Sequence, residues 1–312
     1  MEGVRRWWQE LAGLVLPAEC GGCGSARTVL CPQCRAALSG AVPFRVRPVP
    51  EPPGLPAVHA AARYADEVRA ALLAHKERGA LALARPLGAA LAGAVRVGVG
   101  EVGWGEGEGP QSPGDHLLLV PVPSTRAAVR ARGHDPARRI ALAAAGELRR
   151  AGVSARVAAV LRQRRAVADQ SGLDSRQRLD NLVGALTVVP GGARVLCGGP
   201  VVLVDDVVTT GASLAEAARA VRAVRAAAAA ERAGQGESGR CGEEAKGALC
   251  GEGATAGYVG ITREDGKQLS GTEERGVDGV SVRPPDDVGG ADDVLCAAVV
   301  AASPDSFEID RN

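Results

Sequence analysis

The sequence predicts an α/β protein built on a mainly parallel sheet. Two observations carry this. Apolar runs such as HLLLVPVPS, VVLVDD and VLCAAVVAA are continuous rather than alternating, as strands buried on both faces are. Between them lie Ala- and Leu-rich stretches of helical length, so strand and helix alternate along the chain. A third feature precedes this pattern. Two CxxC pairs near the N-terminus mark a small metal-binding module ahead of the α/β part.

The elements follow in order. Residues 1–20, MEGVRRWWQELAGLVLPAEC, imitate an export signal through Arg5-Arg6 and an apolar patch. The patch is too short, Glu10 and Glu19 interrupt it, and no small-x-small cleavage site follows, so a short amphipathic helix is expected. No apolar run approaches the length of a membrane span, which places the chain in the cytoplasm. Its eight cysteines are then thiols or metal ligands rather than disulfides.

Cys20, Cys23, Cys31 and Cys34 form CxxC, seven residues, CxxC. Two-residue spacing lets both thiolates of a knuckle reach one tetrahedral ion, Gly21, Gly22 and Gly24 permit the tight turn, and the gap suits a short hairpin. Four sulfur ligands leave no open position, so the expected ion is a structural Zn2+ in a ribbon-like module over residues 1–45. Cys197, Cys241, Cys250 and Cys296 have no such spacing.

The larger domain is expected over 46–312. Six prolines in residues 41–56 read as a stiff linker. AVHAAARYA reads as a strand, and two helical stretches separated near Gly79 follow. Residues 98–115 are a Gly/Glu loop, HLLLVPVPS a buried strand, and 136–151 an amphipathic helix. VAAVLR and VVLVDD are further strands, with a long Ala-rich helix from 212 toward 230. Residues 231–293, rich in Gly and Glu, read as a disordered insertion before the last strand at 294–302.

A net charge of +1 offers no global attraction to nucleic acid or membrane, but the charges are unevenly spread. Residues 126–165 carry eleven Arg against Asp135 and Glu147, whereas 231–312 carry seventeen acids against eight bases. One face should therefore suit anionic ligands. Only three of the 37 basic residues are Lys, and aromatics are 2% of the chain, too few for a stacking platform for single strands.

VVLVDDVVTTGAS, residues 201–213, is the most informative stretch. In a parallel sheet, ligands bind at the carboxyl ends of the strands, and Asp205 and Asp206 stand at such an end. Thr209, Thr210, Gly211, Ala212 and Ser213 lead into a helix, whose first N–H groups and dipole favour an anion. Small side chains let a phosphate approach the backbone, while paired carboxylates can accept hydrogen bonds from vicinal hydroxyls. The combination fits a sugar phosphate with a free diol. The lysine of a Walker A loop is absent.

These thirteen residues resemble the phosphoribosyl-pyrophosphate signature of the type I phosphoribosyltransferases: four apolar residues, two acids, two apolar, then Thr-Thr-Gly-x-Ser. The resemblance implies that fold, Asp205 and Asp206 on the ribose hydroxyls, and residues 209–213 around the 5′-phosphate. LLLVPVPSTRAAVRARGHD resembles the strand and pyrophosphate loop of the same fold, which adds Ser124, Thr125, Arg126, Arg130 and Arg132 to the expected ligand contacts. More narrowly, the chain resembles the ComF family, which includes the GntX-like proteins. The knuckle pair, HKERG, VPVPS…R…RGHD, DQSGLDSRQRLDNLVGAL and the paired acids occur in that order, covering all but 98–115 and 231–293.

Three departures stand out. A second cysteine set, common in that family, is replaced by the proline-rich segment, so one metal is expected. The usual RGFNQ is Arg132-Gly133-His134-Asp135-Pro136, and a carboxylate that serves some relatives as base is Thr209. His134 reads as a surface loop residue; Lys76 suits an exposed helix end as well as a pyrophosphate contact, and Arg178 and Asn181 suit capping or packing as well as binding. The resemblance implies an enzyme that takes phosphoribosyl pyrophosphate with Mg2+ and passes the phosphoribosyl group to an acceptor. The alternative is a non-enzymatic protein of DNA uptake or recombination, with single-stranded DNA or uptake proteins as partners.

Overall fold

The computed structural model describes residues 19–104, 116–164, 182–247, 294–303 and 307–309. The chain divides into two units, Met1–Ala228 with Gly290–Asn312, and Ala229–Gly289. The sheet and its cores belong to the first; the described part of the second is helix up to Gly247. In chain order, helix α1 (Pro32–Ser39) precedes strands β1 (Phe44–Pro48) and β2 (Val58–Arg63), helix α2 (Asp66–Glu77), a 3-10 turn (Leu81–Leu83) and α3 (Ala84–Glu101). Next come β3 (Leu117–Pro121), α4 (Arg126–Arg132), α5 (Pro136–Arg150), β4 (Ala155–Val157), β5 (Leu161–Gln163) and β6 (Leu186–Val188). Helix α6 (Gly192–Leu196), β7 (Val201–Val208), α7 (Ala212–Gly247), β8 (Val294–Ala302) and β9 (Phe307–Ile309) complete the order.

Seven strands form one sheet in the order β4-β3-β7-β8-β2-β1-β9, while β5 and β6 pair separately. Neighbours from β4 to β2 are parallel, and β1 runs antiparallel to both β2 and β9. The fold is therefore α/β with a mainly parallel sheet. The continuous apolar runs have a direct cause. Leu117, Leu119, Val202 and Val204 enter one core with α3 and α5, and their neighbours Leu118, Val120, Val201 and Leu203 enter a second core with Leu214, Ala217 and Val221 of α7.

Several elements differ from expectation. Residues 41–56 are not all linker: Phe44–Pro48 is a strand, and it spans the boundary drawn at 45/46. Its burial alternates through FRVRP, with Val46 and Pro48 inward and both arginines outward, a period of two that outweighs the proline count. VAAVLR contributes to two strands, because the Ala158 N–H bonds the Leu119 carbonyl before the chain turns to pair β5 with β6. Strand β7 continues two residues past the acid pair. Helix α7 runs to Gly247, beyond 230, where loss of apolar periodicity suggested an end; residues 248–293 of the expected insertion lie outside the described residues. The expected N-terminal helix also lies outside them.

Contrary to the sequence reading, one helical stretch among the described residues, Leu81–Glu101, is long and apolar enough to cross a membrane. It is a core helix: 67% of its apolar window is buried, packed on α5 and β8. Close approach explains its composition. A Cβ on Gly88 would stand 2.5 Å from the Ala143 Cβ and 2.8 Å from the Ala144 nitrogen of α5. Alanine is the better helix former by about 1 kcal/mol, but overpacking a tight contact costs about 1–3 kcal/mol. Gly88→Ala should thus lower the urea midpoint with an unchanged denaturant slope; a higher midpoint would show that α3 and α5 do not meet this closely.

Candidate functional site

The described cysteines of the knuckle come together as their spacing predicts. The Sγ atoms of Cys20, Cys23, Cys31 and Cys34 lie within 4.8 Å of one another, close enough to hold one metal ion. A bridge between Glu19 and Ala26 closes the first knuckle, with the Gly24 N–H on the Cys20 carbonyl at 2.9 Å. The second knuckle opens a helix rather than a hairpin: Cys31 caps α1, its sulfur accepting the Cys34 N–H at 3.5 Å, while the Cys31 N–H points to the Cys20 sulfur at 3.2 Å. A Cβ on Gly22 would fall 2.6 Å from the Cys34 sulfur, so glycine is needed for the sulfurs to close up. Burial opposes ionisation of Cys20, but N–H groups of Cys31, Cys23 and Gly22 outweigh it and bring the thiol down to about 6. Burial and the surrounding thiols push Cys34 up.

The second site is a cavity of about 440 Å³ at the carboxyl ends of the central strands. Asp205, Asp206, Thr209, Ser213, Ser124 and Thr125 line it, whereas Thr210, Gly211 and Ala212 of the same expected set do not. Register explains why the acids stand open. Strand β3 accompanies β7 only to the pair Pro121–Val204, whereas β8 stays alongside to Val208–Ala302. From Asp205 onward β7 has one neighbour and one free flank. The Asp205 carboxylate accepts the Asp206 N–H at 2.8 Å, and the Asp206 Oδ1 accepts the Val207 N–H at 2.9 Å.

Beyond the strand the chain turns through Thr210 and Gly211 into α7, which begins at Ala212. The Thr210 hydroxyl accepts the Ala212 N–H at 3.5 Å, and the remaining N–H groups of the first turn have no partner within the helix. Gly211 is required for a reason the motif did not show. Its φ is +74°, and a Cβ there would lie 3.0 Å from Pro48 Cγ and 3.1 Å from Leu55 Cδ2. Valine at this position would strain the backbone whatever the ligand.

The arginines are arranged unequally. Thr125 caps α4, a helix without a buried residue, on which Arg126 and Arg130 are exposed. Neither lines the cavity. Arg132 grips Glu77 at the end of α2 with a bidentate fork, Nε and Nη2 at 2.9 and 2.8 Å. His134 is buried rather than surface-exposed, its ring nitrogens 3.2 and 3.1 Å from the carbonyls of Arg132 and His75. Arg178 and Asn181 lie outside the described residues. Glu77, from HKERG, also lines the cavity, as do Tyr64 and Gln163, which no motif marked.

Lys76, from HKERG, does reach the site: its Nζ is 2.8 Å from Asp206 Oδ2, with the Asp206 side chain 8% exposed. Burial works to lower the Lys76 pKa, but the carboxylates of Asp206 and Asp205 outweigh it and hold the ammonium charged above the ordinary lysine range. For Asp205, burial and then the Asp206 charge push the carboxyl well above its ordinary 3.8, against the pull of Lys76.

This shift has a sign. The folded state keeps a proton on Asp205 above pH 3.8, where the unfolded chain has released it. Stability is therefore complete below that pH and declines as pH rises toward the shifted value. Asp205→Asn removes the titration, so its Tm at pH 7 should exceed that of the wild type and vary less with pH above 4. A lower Tm at pH 7 would mean that the carboxylate stabilises the fold. Compared with protein-family models, curated proteins and solved structures, the chain has no match.

Proposed function

We propose that the cavity binds a sugar phosphate through its vicinal diol and its phosphate, the ligand being phosphoribosyl pyrophosphate, and that the chain is a phosphoribosyltransferase of the type I fold and ComF type with an unidentified acceptor. One observation carries the reading. The paired acids, Thr209 and Ser213 line a single cavity, so a diol on the carboxylates leaves a phosphate within reach of the start of α7. A parallel sheet with its cavity at the strands' carboxyl ends supports the same fold. In this reading Asp205 and Asp206 orient the ribose and steady positive charge developing at its anomeric carbon. Hydroxyls of Ser124 and Thr125, which line the cavity, meet the leaving pyrophosphate. Carboxylates and hydroxyls are hard oxygen donors and suit Mg2+, which when bound neutralises pyrophosphate charge.

The knuckle is assigned a structural Zn2+. Four sulfurs within 4.8 Å, three of them on buried residues, match a closed tetrahedral set. Elemental analysis of the purified chain should find close to one zinc per chain. Cys20→Ser should lower that value and the Tm together, since zinc binding is coupled to folding. A metal-free chain with full stability would overturn the assignment.

A second reading has its own observation. Arg126, Arg130, Arg138, Arg156, Arg162 and Arg164 are all exposed within one stretch of chain, a surface fit for a polyanion and hence for a DNA-uptake protein. The acid pair has no task in that reading, which is why the sugar-phosphate reading is preferred.

Calorimetric titration with phosphoribosyl pyrophosphate and Mg2+ decides between them. Replacing both acids by Asn should weaken binding at least about tenfold, since hydrogen bonds to charged groups contribute roughly 1.5–3 kcal/mol each. Ser213→Asp tests the phosphate end without straining the backbone, because an acid in the first turn suits a helix but repels phosphate. Its Tm should hold while binding falls. Absence of binding by the wild type, with salt-dependent binding of single-stranded DNA instead, would favour the second reading.

A further inference from the structure

Among the described residues lining the cavity Lys76 is the one cation, in a chain where only three of 37 basic residues are Lys. At a neighbouring position the chain uses Arg for a fixed pair: Arg132 holds Glu77 through a two-pronged fork. The two side chains differ in what they permit. A guanidinium binds a carboxylate bidentately and stays, whereas an ammonium on a flexible four-carbon stem makes single contacts and can turn between partners.

The occupancy of the acid pair makes that freedom useful. One oxygen of Asp205 takes the Asp206 N–H, Asp206 Oδ1 takes the Val207 N–H, and Asp206 Oδ2 takes Lys76. The edge of Asp206 that would meet a hydroxyl is thus taken by the ammonium. The ammonium also offsets two carboxylates that would otherwise repel one another. Lys76 lines the same cavity as Thr209 and Ser213 and as Ser124 and Thr125, so a ligand held there by one phosphate keeps a second anionic group among the same lining residues.

We propose that Lys76 is a transferable counter-ion: it covers Asp206 while the cavity is empty and passes to the second anionic group of the ligand on binding, exposing the carboxylate to the diol. The cavity therefore selects sugar phosphates with anionic groups on both sides of the diol over those with one. This inference rests on the sugar-phosphate reading above.

The test compares ribose 5-phosphate, which has one anionic group, with phosphoribosyl pyrophosphate, which has two, each titrated calorimetrically with Mg2+ into the full chain. Wild type should prefer the second by at least about tenfold, the size of one charge-assisted contact. Lys76→Met should reduce that preference to less than about threefold, through weaker pyrophosphate-donor binding and no loss for ribose 5-phosphate. Lys76→Arg, which retains the charge and the pair with Asp206, should weaken both ligands because the fork does not release the carboxylate. Equal weakening of both ligands by Lys76→Met, or wild-type binding by Lys76→Arg, would overturn the transfer. If Lys76→Met does not fold, Lys76→Arg decides alone. Failure of both ligands to bind the wild type would remove the sugar-phosphate reading itself; binding with an intact preference in Lys76→Met removes only the inference about Lys76.

Discussion

Two carboxylates side by side at the free flank of a central strand are the constraint that organises the rest of the first unit. Charges drawn out of water need partners, and here the partners come from far along the chain. Lys76 is 130 residues before Asp206 in sequence. Its placement needs α2 to end at the mouth of the sheet, and α2 in turn follows β2, the strand on the far side of β8. The same end of α2 carries Glu77, whose fork with Arg132 ties down α4, a helix that has no buried residue to hold it. One strand end thus gathers α2, α4 and the turn into α7 around a single cavity.

How the pair is tolerated follows from register. Had β3 continued beside β7 past Val204, Asp205 and Asp206 would face a neighbouring strand, with no room for a ligand or for Lys76. Had β7 ended at Val204, the acids would lie in solvent, and the burial that raises the Asp205 pKa would be lost. The strand instead keeps β8 as its partner through Val208, which fixes the backbone under the acids while leaving their other flank open. Rigidity on one side and access on the other are what a binding site on a sheet needs.

Much of this was legible from the chain. Strand β8 occupies the residues its apolar run marks, and Asp205, Asp206, Thr209 and Ser213 line one cavity as the 201–213 stretch suggests. Buried parallel strands and a helix entry are local signals, readable without knowing the neighbours. The parts that were not legible depend on distant partners. Strand β1 was obscured by prolines, although FRVRP alternates, because a strand at that position is stabilised by β2 and β9 rather than by its own propensity. The HKERG stretch gave no reason to choose between a solvated helix end and a ligand contact, because its lysine's partner lies on another strand. Arg132 looked available for a ligand because Glu77 is 55 residues away.

The knuckle enters the same logic through packing. Cys20, Cys31, Cys34 and Leu38 belong to the core that contains Ala71, Leu72 and Ala74 of α2. A Cβ on Gly22 would meet Glu67 in the first turn of α2 at 3.2 Å, and one on Gly21 would strike Leu83 just beyond that helix. The four-cysteine site therefore braces α2 along its length, from Glu67 in its first turn to Ala74 and to Leu83 just past its end. Aromatic residues make up only 2% of the chain, so large rings are scarce for wedging such a helix in place, and small residues pack it by close approach. Close approach holds a helix only while its neighbours stay put, and a sulfur-bound ion is a rigid neighbour of the right size. The four-cysteine module and the cavity in this sense share one element, with α2 relating the position of the sulfurs to that of the cation that faces the acids.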